Sequence, residues 1–132
     1  MKFLLDTHVL LYWLWQDPRL SEKQRDQIEA AGPESPLWIS EITLWEIATL
    51  HSLGRIELHL SLRDFLERAT APPLVERIGI SPAIAAEVAA LPDSFHRDPG
   101  DRIIVASARI LGATLLTQDE RIRSAKLVPT VA

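Results

Sequence analysis

The sequence predicts an α/β fold in which a parallel β-sheet is covered on both faces by helices. Three observations carry this expectation. Short, continuous apolar runs such as "KFLL" (2–5) and "ATLLT" (113–117) have the character of strands buried on both faces. Between such runs lie segments of helical period, most opened by Ser or Asp and closed by Gly or Pro. The two kinds alternate along the chain, which calls for crossover connections and so for parallel strands.

In chain order, "KFLL" is the first strand and is followed by Asp6, Thr7 and a helix in "HVLLYWLWQ" that ends before Pro18. "SEKQRDQIEAAG" is a helix capped by Ser21 and stopped by Gly32, and "PLWIS" is the second strand. "SEITLWEIATLHSLG" is a helix with Ser40 as its cap and Gly54 past its end. "SLRDFLERATA" is another, opened by Ser61 and stopped by Pro72. "LVERIGI" is a strand. "SPAIAAEVAAL" follows as a helix with Ser81 at the cap and Pro82 in the first position. "PGDRIIVASARIL" is the next helix, "ATLLT" the strand after Gly112, and "DERIRSAK" a short helical turn ahead of a final "LVPTV".

The chain has 132 residues, 47% hydrophobic and 24% charged, as expected of one soluble domain spanning 1–132. No apolar run approaches the roughly 20 residues of a membrane span. Asp6 and His8 interrupt the apolar N-terminus where a signal peptide would not, and there is no cysteine. These features lead to the expectation of a cytoplasmic protein with no membrane partner and no thiolate chemistry. The net charge of −4 is unevenly spread. Residues 1–95 hold 8 Lys/Arg against 14 Asp/Glu, whereas residues 96–132 hold 6 against 4. The last third therefore has room for a phosphate-binding surface despite the acidic total.

Ligand sites in parallel α/β sheets form just beyond the carboxyl ends of the strands, so the position of acids is informative. Asp6 directly follows the first strand and Asp119 lies two residues past "TLLT". In "HRDPGDRIIVASA", Asp98 and Asp101 stand three apart at a helix start, an arrangement that also makes a good N-cap. Each of these acids has a capping explanation. Glu46 has none, because it sits in mid-helix on the ridge of Ile42 and Leu50. A carboxylate there needs a cation, donors or a proton. Either an internal ion pair to Arg or a metal shared with other carboxylates meets that need. Several converging carboxylates suit Mg²⁺ or Mn²⁺, hard ions that take oxygen ligands and assist in-line attack on phosphoryl groups.

"LLDTHVLLYWL", "SEITLWEIATLHSLGRIEL" and "HRDPGDRIIVASARILGATLLTQDERI" together resemble the PIN-domain ribonucleases of the VapC toxin type, in order and spacing. The resemblance implies a three-layer α/β/α sandwich and a metal-dependent endoribonuclease. It implies Asp6, Glu46, Asp101 and Asp119 as catalytic acids holding Mg²⁺ or Mn²⁺, with Asp98 chiefly a cap and an additional candidate ligand. It further implies a small antitoxin partner, an RNA substrate and a homodimer. Arg97, Arg102 and His8 are the candidate RNA contacts; for the two arginines an ion pair to Glu46 or Asp98 is the competing use. Relatives often carry a Lys shortly after the Glu of "WEIA"; here that place falls near Leu50, and Arg55 is the available substitute. Two other functions compete: a non-catalytic RNA- or partner-binding module of the same fold, and a Mg²⁺-dependent phospho-acceptor domain. The phospho-acceptor would want a second acid beside Asp6 and a late Lys, where this chain has Thr7 and "LLTQDE".

Overall fold

The computed structural model describes the whole chain, residues 1–132. Its elements run β1 (Phe3–Leu5), α1 (Thr7–Leu14), α2 (Glu22–Glu29), β2 (Leu37–Ser40), α3 (Glu41–Ser52), α4 (Leu62–Ala69) and β3 (Val75–Ile78). They continue with α5 (Pro82–Ala90), α6 (Pro99–Leu111), β4 (Thr114–Leu116), α7 (Glu120–Ala125) and β5 (Thr130–Val131). All five strands are parallel, in the spatial order β3-β2-β1-β4-β5. The strand at the C-terminal end, which the sequence leaves as an unassigned "LVPTV", adds an edge to the sheet beside β4.

Side chains alternate across each strand and so divide the apolar residues between two cores. Leu5, Leu37, Ile39 and Leu116 face one side, where they pack with Val9, Leu10, Ile28 and Ile47 from α1, α2 and α3. Leu4 and Leu115 face the other, against Ile104, Val105 and Ala108 of α6 and Ile122 of α7. This is the three-layer α/β/α sandwich. Burying a leucine such as Leu4 or Leu115 completely contributes about 1.5–3 kcal/mol. That explains why strands of only three or four residues suffice when both faces are covered.

Local chemistry sets the helix starts. Ser21, Ser40, Ser61 and Ser81 each accept a hydrogen bond from a backbone N–H of the helix they precede. Asp6, Asp98 and Asp119 do the same for α1, α6 and α7. α6 ends at Gly112, whose φ of 68° is a left-handed conformation that a side chain disfavours, and the chain turns directly into β4. No helix is long and apolar enough to cross a membrane.

The strand order reverses its direction of growth at β1, with β2 on one side and β4 on the other. The crevice beyond the carboxyl ends of these central strands is where the three aspartate-capped helices α1, α6 and α7 begin.

Candidate active site

Asp6 leaves β1 and is buried at the floor of this crevice, 8% exposed. Its Oδ1 accepts the Thr7 N–H at 2.8 Å and its Oδ2 accepts the Thr117 hydroxyl at 2.7 Å. Thr117 follows β4, so the two central strands fix this carboxylate from both sides. The Thr7 hydroxyl lies 2.5 Å from Glu46 Oε1 and 2.9 Å from the Thr43 hydroxyl, which ties α1 to α3. Glu46 thus finds its donor in the Thr7 hydroxyl and makes no ion pair with Arg97 or Arg102.

At the start of α6, Asp98 Oδ1 accepts the Asp101 N–H at 3.1 Å, as a cap does. The same Asp98 joins Glu46 and Asp101 in a cluster whose ligand atoms lie within 4.8 Å of one another. The capping role and the site role therefore belong to one residue. Gly100 packs against this cluster, and a Cβ there would collide with Glu46 Oε2. Asp119, capping α7, accepts the Arg121 and Ile122 N–H groups at 2.8 and 3.3 Å. All five acids line a single cleft of about 460 Å³, together with Thr7, His8, Tyr12, Gln118 and Arg121.

The electrostatics match an anionic cluster in want of positive charge. Burial pushes the Asp6 carboxyl above its ordinary value, against the Thr117 hydroxyl and with the Asp101 charge adding to it. Burial likewise pushes Glu46 up to about 7, opposed by the Thr7 hydroxyl and reinforced by Asp6, Asp101 and Asp98. Asp101 is raised by burial and by its acidic neighbours, despite the His96 hydrogen bond. Asp119 moves the other way: burial raises it, but the hydrogen bonds from Arg121 and Ile122 outweigh that and hold it low. Raised carboxyls gathered in one cleft mark it as a candidate functional site.

Two residues at the site escaped the sequence reading. His96 Nε2 lies 2.7 Å from Asp101 Oδ2, while its Nδ1 is buried without a partner. Arg121 Nη2 lies 3.2 Å from Asp119 Oδ2 and 3.7 Å from Asp101 Oδ2, and it is the sole Lys or Arg lining the cleft. In sequence Arg121 is just one member of a basic run with Arg123 and Lys126. Only the short α7, starting at Asp119, turns it toward the acids. His96 carries no pattern signal, because its pairing depends on the loop between α5 and α6.

The candidate RNA contacts divide three ways. His8 lines the cleft. Arg97 points away, exposed and 3.5 Å from Asp93, and is absent from the cleft lining. Arg102 must be corrected outright. It is 6% exposed, its Nη2 donates to the Pro92 carbonyl at 3.2 Å, and its guanidinium stands 5.7 Å from the Phe95 ring. Its position on the inward face of α6 sends it into the protein rather than toward a substrate. The cleft also lacks the lysine and the acid beside Asp6 that a phospho-acceptor would use.

The donor set is all hard oxygen, negatively charged and partly desolvated, and it fits a divalent cation of the Mg²⁺ or Mn²⁺ kind. Fold and cleft together define a class: a parallel α/β protein with an acidic crevice at its topological switch point. The chain belongs to the PIN domain family, whose sequence pattern matches residues 3–127. It is 38% identical over 121 residues to "Ribonuclease VapC22" of Mycobacterium tuberculosis (strain ATCC 25618 / H37Rv), covering 92% of this chain and 89% of that one. Its fold is similar to a structure of VapBC2 from Rickettsia felis bound to a promoter DNA fragment, with a TM-score of 0.74, 16% identity and coverage of 99% and 98%. It is similar also to VapBC-1 from nontypeable Haemophilus influenzae, with a TM-score of 0.75, 18% identity and coverage of 99% and 97%.

Proposed function

We propose that this chain is a metal-dependent endoribonuclease of the VapC type, the toxin of a toxin–antitoxin pair. The observation that carries this reading is the convergence of Asp6, Glu46, Asp98, Asp101 and Asp119 on one cleft at the carboxyl ends of the central strands. The 38% identity with a curated ribonuclease supports it. Glu46, Asp98 and Asp101 would hold Mg²⁺ or Mn²⁺, with the deeper Asp6 and the flanking Asp119 completing the charge around it. Such a cation supplies a water nucleophile at neutral pH and neutralises charge developing on the phosphoryl oxygens. Arg121 and His8 are the groups of the cleft best suited to a phosphate oxygen, and Arg121 takes over the role that the sequence assigned to Arg97 and Arg102. A small antitoxin and a second copy of the chain are the expected protein partners, by analogy with the VapBC complexes that share the fold.

The test is incubation of the purified, partner-free chain with a total RNA pool and Mg²⁺ or Mn²⁺, with a chelator control and Asp6→Asn alongside. Cleavage should require metal and should fall at least 100-fold in the variant, whose uncharged amide still fits between Thr7 and Thr117. Undiminished cleavage by folded Asp6→Asn would overturn the assignment. A folded, metal-binding chain that cuts nothing in the pool would turn the reading to the non-catalytic module.

A further inference from the structure

Beside the acidic cleft lies a second, smaller cavity of about 170 Å³, lined by His8, Trp45, Thr49, Leu53 and Arg55 and sharing Thr7 and Glu46 with the cleft wall. Trp45 immediately precedes Glu46 in α3, yet its side chain is 63% exposed. Trp45, Thr49 and Leu53 recur every four residues, so they form one stripe on the outer face of the helix. Thr49 returns its hydroxyl to the Trp45 carbonyl at 2.9 Å and so presents its methyl group outward. The stripe is apolar and flat, and it ends at a cation.

Arg55 is held there by the way α3 stops. Gly54 takes φ +69°, its N–H donates to the His51 carbonyl at 3.0 Å, and the Arg55 N–H donates to the Leu50 carbonyl at 2.9 Å. This pair of bonds is the Schellman turn, and it folds Arg55 back over the last turn of the helix beside Leu50. Arg55 takes part in none of the ion pairs of the chain. An exposed indole, a free guanidinium and a cavity that shares a wall with the acidic cleft are the elements of a nucleotide subsite. The indole offers a stacking face for any base, and the guanidinium offers a phosphate contact.

We propose that Trp45 and Arg55 form a subsite for one unpaired nucleotide of the RNA, next to the phosphodiester held at the acids: Trp45 stacks on its base and Arg55 contacts its phosphate. The inference rests on the ribonuclease reading and deepens it. It also supplies the charge that the missing Lys near Leu50 left in question.

Trp45→Phe, Trp45→Leu, Trp45→Ala and Arg55→Ala should be compared with the unaltered chain on an RNA that it cuts. Stacking on one aromatic contributes a factor on the order of ten or more. The Ala and Leu variants should therefore raise KM about tenfold with kcat within about threefold, while Phe stays near the unaltered value. Arg55→Ala should raise KM and flatten its salt dependence. Mn²⁺ affinity and Tm should not move, since neither residue touches the acids through a hydrogen bond. An abasic nucleotide at the subsite position should cost the unaltered chain as much as Trp45→Ala does, and cost that variant nothing more. An unchanged KM in Trp45→Ala would overturn the proposal. So would a dimer that falls apart in Trp45→Ala, which would make the stripe a contact between copies. If the unaltered chain cuts no RNA, the ribonuclease reading fails separately, and anisotropy of a fluorescein-labelled single-stranded RNA 12-mer then decides. Binding lost in Trp45→Ala keeps the subsite, and equal or absent binding removes it.

Discussion

At the scale of single residues, the cleft is a set of charges that only partly cancel. Arg121 is the nearest compensation, reaching both Asp119 and Asp101 from a side chain that is 63% exposed. An arginine in that position would compete with any cation the acids hold. Two opposite effects follow for Arg121→Ala. Mn²⁺ should bind about threefold to tenfold more tightly in calorimetry, a modest change because the arginine is solvent-exposed. RNA cleavage at saturating metal should nevertheless fall about tenfold, through the lost contact to phosphate. Weaker metal binding in the variant would show that Arg121 orients the acids instead of opposing the ion. Arg102 makes a contrast: two residues of one type, both near the acids in sequence, diverge because one begins a short exposed helix and the other lies on the buried face of a long one. Charge type is visible in a sequence, but the direction of a side chain at a helix start is not.

At the scale of elements, the site is assembled from helix beginnings. α1, α6 and α7 each start from an aspartate that satisfies their first N–H groups, and those aspartates are thereby aimed at a common point. Capping and the proposed metal binding are thus two uses of one geometry, and substitution can separate them at Asp98. Asn caps as well as Asp does, whereas Ala does not cap. Asp98→Asn should keep its thermal stability and lose metal affinity. Asp98→Ala should lose the same affinity and also about 1 kcal/mol of stability. Equal metal affinity in the unaltered chain and Asp98→Asn would return Asp98 to a purely structural role. The helix starts were legible in the sequence for the same reason: Ser21, Ser40, Ser61 and Ser81 act locally, and their hydrogen bonds stay within four residues. The small edge strand β5 was not legible, because two residues carry no period and their pairing with β4 is a long-range event. Glu46 was legible as an anomaly, a charge on an apolar ridge. Its actual partner, the Thr7 hydroxyl, comes from α1 and is itself hydrogen-bonded to Thr43, a turn earlier in α3.

For the molecule as a whole, the cleft sets stability against function. In the unfolded chain the Glu46 carboxyl titrates at its ordinary value near 4.5, and in the folded chain at about 7. Between those values the folded state holds the extra proton, so folding stability is greatest at the acid end and declines as pH rises toward 7. Asp6 and Asp101 are raised as well and act in the same direction, while Asp119, held low, acts in the opposite one. A divalent cation would reverse the balance, because it would bind the deprotonated carboxylates and therefore more tightly as pH rises through the same interval. At about 100 times its Kd it would add roughly 2.7 kcal/mol to the folded state. In chelator, Tm should accordingly fall by several degrees between pH 5 and 7.5, and Glu46→Gln should remove most of that fall, since an amide has no proton to lose. With Mn²⁺ the stabilisation should be larger at pH 7.5 than at pH 5.5 in the unaltered chain and much reduced in Glu46→Gln. Scanning calorimetry across pH, with and without metal, reads both effects in one series. A Tm in chelator that rises over this interval equally in the unaltered chain and in Glu46→Gln would mean that burial of Glu46 carries no electrostatic cost, and that the Thr7 hydroxyl alone satisfies it.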